Sequence, residues 1–171
     1  MQQELYAYMG RYNRWMNEKL YAVCAELPDA CRKEDRRAPF KSIHGTMNHL
    51  LLGDRLWMGR FTGVPFTAAS LDQELYADFA QLRAERAKTD GAIEAWVETL
   101  TDERLAALFR YTNQVNPEPR EAPLWFCVTH FFNHQTHHRG QLTTLIEQAE
   151  ADCGVTDLIW LPGSPLRVLE A

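Results

Sequence analysis

The chain has 171 residues, 46% of them apolar and 24% charged, enough for one domain spanning 1–171 with its own core. Acidic residues number 23 against 18 basic, and the most basic stretch, CRKEDRR, is interrupted by acids, which argues against a nucleic-acid partner. No apolar run reaches the ~20 residues of a membrane helix, and the N-terminus carries no secretory pattern. Four scattered cysteines without a C-x-x-C pair fit the reducing cytoplasm.

Residues 3–27 place Leu5, Met9, Tyr12, Met16, Leu20, Val23 and Leu27 at helical spacing, which predicts a first helix. The stretch LPDACRKEDRRAPF breaks that period and reads as a connection. A second helix is expected from Ser42, a candidate N-cap, to about Phe61, with Gly63 and Pro65 ending it. Residues 72–100 predict a long third helix with Gly91 as its weak point. The segment that follows is irregular: LFRY has the character of a short strand and NPEP of a turn. Pro123 suits the first turn of a fourth helix running to about Glu150, and TDLIWLPGSP is expected to pack on the bundle as a short apolar segment. Four long amphipathic helices predict an all-α four-helix bundle.

The chain has six histidines, and most fall in or beside NHLLLGDRLW and THFFNHQTHHRGQ. On the fourth helix, with His134 set to zero and ~100° of rotation per residue, the apolar stripe centres near ~65°. His138 lies inside it at ~40° and His134 at its edge, whereas His130 and His137 fall outside, near ~–40° and ~–60°. His134 and His138, at i and i+4, can therefore reach one point inside the bundle. His137 belongs to the surface or flank. His130 is left as an alternative ligand or a partner of the ligands.

His49 sits on a buried face of the second helix with Gly45 and Gly53 one turn to either side. Each glycine costs about 1 kcal/mol against alanine, a cost that makes sense where space above the His49 side chain is needed. His44 points elsewhere, toward solvent or a polar contact. Two readings of the buried imidazoles stay open: a hydrogen-bonded core, or ligands of a shared cation that offsets their desolvation.

The segments SIHGTMNHLLLGDRLWMGR and HFFNHQTHHRGQLTTLI, with YNRWMNEKLY in the first helix and TDLIWL near the end, resemble the DinB-like (DinB/YfiT-like) metalloenzyme family over nearly the whole chain. The combination of H-x-x-N-H-x-x-x-H-R-G-Q with an upstream N-H-x-x-x-x-D is specific. The resemblance implies an up-down-up-down bundle with a long crossover, commonly a homodimer. It also implies a divalent metal, zinc or nickel first and iron or manganese next, held by His49, His134 and His138. The family name points to a damage-inducible origin, and characterised relatives imply a thiol-dependent S-transferase acting on a small thiol and an electrophile. A hydrolase, or a non-catalytic metal-binding or sensing protein, is the alternative. No catalytic base is identified: Asp54 is expected to point away from the metal and Arg139 to make a structural ion pair. Gln141, Tyr12 and Trp15 are candidate pocket residues, and a ridge of Trp125, Phe132 and Arg139 is the expected subunit interface.

Overall fold

The computed structural model describes residues 2–112 and 118–166. In chain order the elements are α1 (Gln2–Ala25), α2 (Asp29–Lys33), α3 (Ile43–Thr62), α4 (Phe79–Val97), α5 (Asp102–Ala106), β1 (Leu108–Thr112), β2 (Pro119–Pro123) and α6 (Leu124–Glu147), followed by a 3-10 turn, Leu158–Trp160. The four long helices form the all-α bundle, and α1 and α3 each pack against both α4 and α6. No helix among the described residues is long and apolar enough to cross a membrane.

The contacts fix the direction of each helix. Along α1 and α4, Tyr21 stacks on Phe79 and Gly10 meets Val97, so the two run antiparallel. Helix α6 runs with α1, since Tyr6 bonds Thr129 while Asn13 bonds Arg139. Helices α3 and α4 are parallel: Arg55 meets Glu85, and Phe61 stacks on Trp96. The order of directions is thus up-down-down-up, a departure from the strict alternation expected. The bundle and its long crossover are as anticipated, and the crossover is the cause, because residues 63–78 return along α3 before α4 begins.

Asn48 anchors that return. Its Oδ1 accepts from the backbone N–H groups of Leu75 and Tyr76 at 2.8 and 2.9 Å, and its Nδ2 donates to the Tyr76 carbonyl at 3.2 Å. Backbone donors spent on Asn48 are unavailable to a helical turn, so the third long helix begins at Phe79, capped by Asp78, and not at residue 72. It continues through Gly91 and ends at Val97. LFRY does enter a strand, β1, paired antiparallel with β2. The first half of NPEP lies outside the described residues. Pro123 closes β2 and precedes α6 by one residue. Of the C-terminal apolar segment only Leu161 is buried. Ile159 and Trp160 are exposed, and the segment is held by the Tyr8 and Tyr12 hydroxyls donating to the Gly163 and Thr156 carbonyls at 2.6 Å.

The core has two apolar clusters, one around Met16, Met47 and Leu142 and one around Phe61, Trp96 and Phe131. Buried polar residues from all four long helices join into one network. Arg86 of α4 meets Asp54 of α3 at 2.6 Å and Asp90 at 2.8 Å. Asn13 and Asn17 of α1 donate to Asp90, Gln135 of α6 donates to Asp54, and Arg139 of α6 donates to Asn13. Two guanidinium groups face two carboxylates, so the network can be neutral overall. The expected ion pair of Arg139 is replaced by this bond to Asn13 and by stacking on Tyr12. Phe132 and Arg139 are buried and only Trp125 is exposed, so the three do not form the anticipated surface ridge. The stripe estimated from periodicity was centred too narrowly, since α6 is enclosed on two sides.

Removing one member of such a network leaves buried charge without a partner. Arg86→Met should lower stability by about 3–5 kcal/mol, read from the urea midpoint. A loss below about 1 kcal/mol, the scale of an exposed ion pair, would show that the network does not hold the bundle.

Candidate metal centre

Helices α3 and α6 run antiparallel, with Gln135 bonded to Asp54 and Trp57 packed on His130. In this register His49 faces His134 and His138. Each of the three offers a nitrogen, and the three nitrogens lie within 4.8 Å of one another. Ring centroids are 4.5 Å apart for His49 and His138, 4.4 Å for His134 and His138, and 5.4 Å for His49 and His134. His49 is buried, while His134 and His138 are half-buried, so one side of the cluster is open to solvent.

The ring orientations are fixed from outside the cluster. His49 Nδ1 lies 2.8 Å from the Leu71 carbonyl, on the crossover, and His138 Nδ1 lies 2.8 Å from Gln141 Oε1, one turn along α6. Both partners are acceptors, so each Nδ1 carries the proton and each neutral ring keeps its lone pair on Nε2. Those two Nε2 atoms are 3.2 Å apart. Two lone pairs facing at that distance repel unless a cation sits between or beside them. Nitrogens bound ~2.0–2.1 Å from a tetrahedral ion would lie roughly 3.3 Å from each other, so the spacing fits a metal.

Protonating a ring is the other way to relieve the contact, and burial opposes it. Desolvation pushes His49 down to about 4, with nearby His138 adding to the effect. His134 is pushed down to about 3 by desolvation and then by its neighbouring imidazoles. His138 is lowered as well, again chiefly by desolvation. At neutral pH all three rings are therefore uncharged donors, the form a metal requires.

Two glycines and an aromatic ring shape the surroundings. A Cβ at Gly53 would sit 3.0 Å from His134 Cε1, so this glycine makes room for the ring of His134, not for that of His49. At Gly45 a Cβ would clash with the Phe40 carbonyl oxygen. Its absence lets the loop before α3 close onto the helix, which lays the Phe40 ring flat on His49, 3.6 Å between centroids. Phe40 also meets His138 edge-on. Lys41 and Arg37 flank it at φ 66° and 56°, a backbone strain concentrated beside the cluster.

The remaining candidates take other places. His130 is exposed, packs at a tilt against Trp57, and has its ring 6.1 Å from that of His134, outside the three-nitrogen group. His137 is a surface residue edge-on to His138. His44 is buried and bonded to the Tyr76 carbonyl, which makes it an anchor of the crossover and excludes the solvent-facing alternative. Tyr12 and Trp15 pack on each other. Their remaining contacts run to Thr156, Arg139 and Lys19, which places them in the core and C-terminal packing and not against the imidazoles. Asp54 is committed to Arg86, away from the cluster as expected. Sequence reasoning missed Phe40 and the Leu71 carbonyl.

The chain matches the DinB family over residues 1–164. It belongs to that family. It is 27% identical over 155 residues to Protein DinB of Bacillus subtilis (strain 168), covering 85% of this chain and 87% of that protein. In fold it is similar to the crystal structure of a DinB-like protein from Bacillus cereus ATCC 10987. The TM-score is 0.59 at 22% identity, with 82% of this chain and 89% of the other covered.

Gln141 provides a direct check on the orientation of His138. Gln141→Leu should lower affinity for zinc or nickel about 10–100-fold with helical content unchanged, measured by competition against a chromophoric chelator. Unaltered affinity would mean that this hydrogen bond does not set the ring.

Proposed function

We propose that this DinB-family protein is a metal-dependent transferase that activates a small thiol at the His49–His134–His138 cluster for attack on an electrophile. The observation that carries the reading is the pair of Nε2 atoms held 3.2 Å apart, each ring's Nδ1 facing an acceptor, with His134 completing the group. Three neutral imidazoles suit zinc or nickel, with iron or manganese also compatible. The ion, when bound, would keep its full positive charge and lower the pKa of a bound thiol or water.

The protein's own contribution is orientation and shielding. Leu71 and Gln141 hold the rings, Phe40 covers the His49 side against water, and the exposed edges of His134 and His138 leave an approach for substrate. Among the described residues no carboxylate joins the cluster, and Asp54 is bound to Arg86. That favours thiol transfer over hydrolysis. Hydrolytic sites such as H-E-x-x-H pair the metal with a carboxylate base, whereas a thiol of ordinary pKa ~8.5 needs only modest help to ionise. The family resemblance supports the same reading.

A conjugation assay tests it. Zinc- or nickel-loaded protein, given a panel of small thiols and a chromogenic electrophile, should accelerate conjugation, and the double variant His134→Ala/His138→Ala should lose at least about 100-fold of that rate. Equal rates with and without metal, or in the double variant, would overturn the transferase reading and leave metal storage or sensing as the role.

A further inference from the structure

Beside the cluster, on the far side of His130, a cleft of about 210 Å³ opens between α3, α6 and the β1–β2 hairpin. Trp57, Arg60, Tyr111, Arg120, Cys127 and His130 line it, and no acidic residue does. The hairpin register explains the charge. Tyr111 pairs with Arg120 across the strands, so their side chains share the face turned to the cleft. The next pair, Arg110 and Glu121, shares the opposite face and forms an ion pair there. The hairpin thus neutralises its outer arginine and leaves the inner one without an acid.

Arg60 is in the same position. Its guanidinium lies 4.5 Å from the Trp57 ring centroid and 5.4 Å from that of Tyr111. Among the described residues no carboxylate meets Arg60 or Arg120. Arg60 is half-buried and Arg120 exposed, whereas Arg86 meets Asp54 and Asp90, Arg55 meets Glu85, Arg36 meets Glu34, and buried Arg139 is bonded to Asn13. In a chain with 23 acids and 18 bases, two arginines on one small aromatic-walled cleft are left for a ligand to neutralise. Burial already lowers the Arg60 pKa, a cost that a bound anion would offset. The cleft also lies next to the candidate centre, since the ring of His130, in its wall, is 6.1 Å from that of His134.

We propose that this cleft binds the oxyanion group, a carboxylate or phosphate, of the molecule whose other end reacts at the histidine cluster. Arg60 and Arg120 donate to the anion, and Trp57 and Tyr111 exclude water around it. As an assignment to substrate this rests on the transferase reading. As an anion site it does not. Thiols or electrophiles with a carboxylate or phosphate should therefore be preferred over neutral ones.

The test uses metal-free full-length protein, so that binding is read apart from turnover. Succinate and inorganic phosphate are titrated at constant ionic strength while the Trp57 indole N–H is followed by NMR, assigned with Trp57→Phe. A saturable shift is expected with at least one anion, and the one that binds identifies the group. Arg60→Gln and Arg120→Gln should each weaken binding about tenfold, and His134→Ala/His138→Ala should leave it unchanged. No saturable shift with either anion, undiminished binding in both arginine variants, or loss of binding in the double histidine variant would overturn the cleft. Anion binding that survives in a protein devoid of conjugation activity would instead count against the transferase reading alone.

Discussion

The buried polar network of Asp54, Arg86, Asp90, Asn13, Gln135 and Arg139 is the constraint from which the rest follows. Apolar clusters above and below it can slide by a turn at modest cost, because one aliphatic contact resembles another. Charged groups taken out of water cannot. Displacing α6 by one turn along α3 would separate Gln135 from Asp54 and Arg139 from Asn13, leaving buried charge unpaired. The net stability of such a network over a well-packed apolar core is small. Its effect here is on register.

That register places the three-histidine cluster. Asp54 follows Gly53, which makes room for His134, and Gln135 follows His134 directly, so the bond between Asp54 and Gln135 sits one residue from His134 on α6 and one residue from the glycine that accommodates it on α3. Position alone would leave the imidazoles free to rotate. The crossover and the loop before α3 supply the missing restraints through the Leu71 carbonyl and the Phe40 ring. The crossover reaches His49 because Asn48 and His44 tie its far end to α3. The same return makes α3 and α4 parallel, so the unusual order of helix directions and the orientation of His49 have one cause.

Much of this was legible in the sequence, and the parts that were not share a reason. Side chains carried on helices announce themselves by rotation: His134 and His138 fall on the inward face, His130 and His137 do not, and the structure brings His49, His134 and His138 together. What the periodicity could not display is backbone. The Leu71 carbonyl acts without regard to its side chain, and Phe40 lies in a connection with no period. Helix α4 starts later than the periodicity predicts because residues 72–78 have helical composition but the Leu75 and Tyr76 donors go to Asn48. The polar network leaves a trace in the sequence. Asn13 with Asn17, and Arg86 with Asp90, are i, i+4 pairs of polar residues interrupting apolar stripes, and on an inward face such pairs imply partners on neighbouring helices.

The central claim is that three neutral imidazoles, already turned toward one point, form an open metal site. X-ray absorption at the zinc edge, on protein loaded with one equivalent and no added thiol, reads that coordination directly. Three imidazole nitrogens at about 2.0–2.1 Å with the balance made up by water oxygen is the predicted outcome. Fewer than three imidazoles, or a sulfur scatterer near ~2.3 Å from a cysteine of this chain, would place the metal elsewhere and contradict the account.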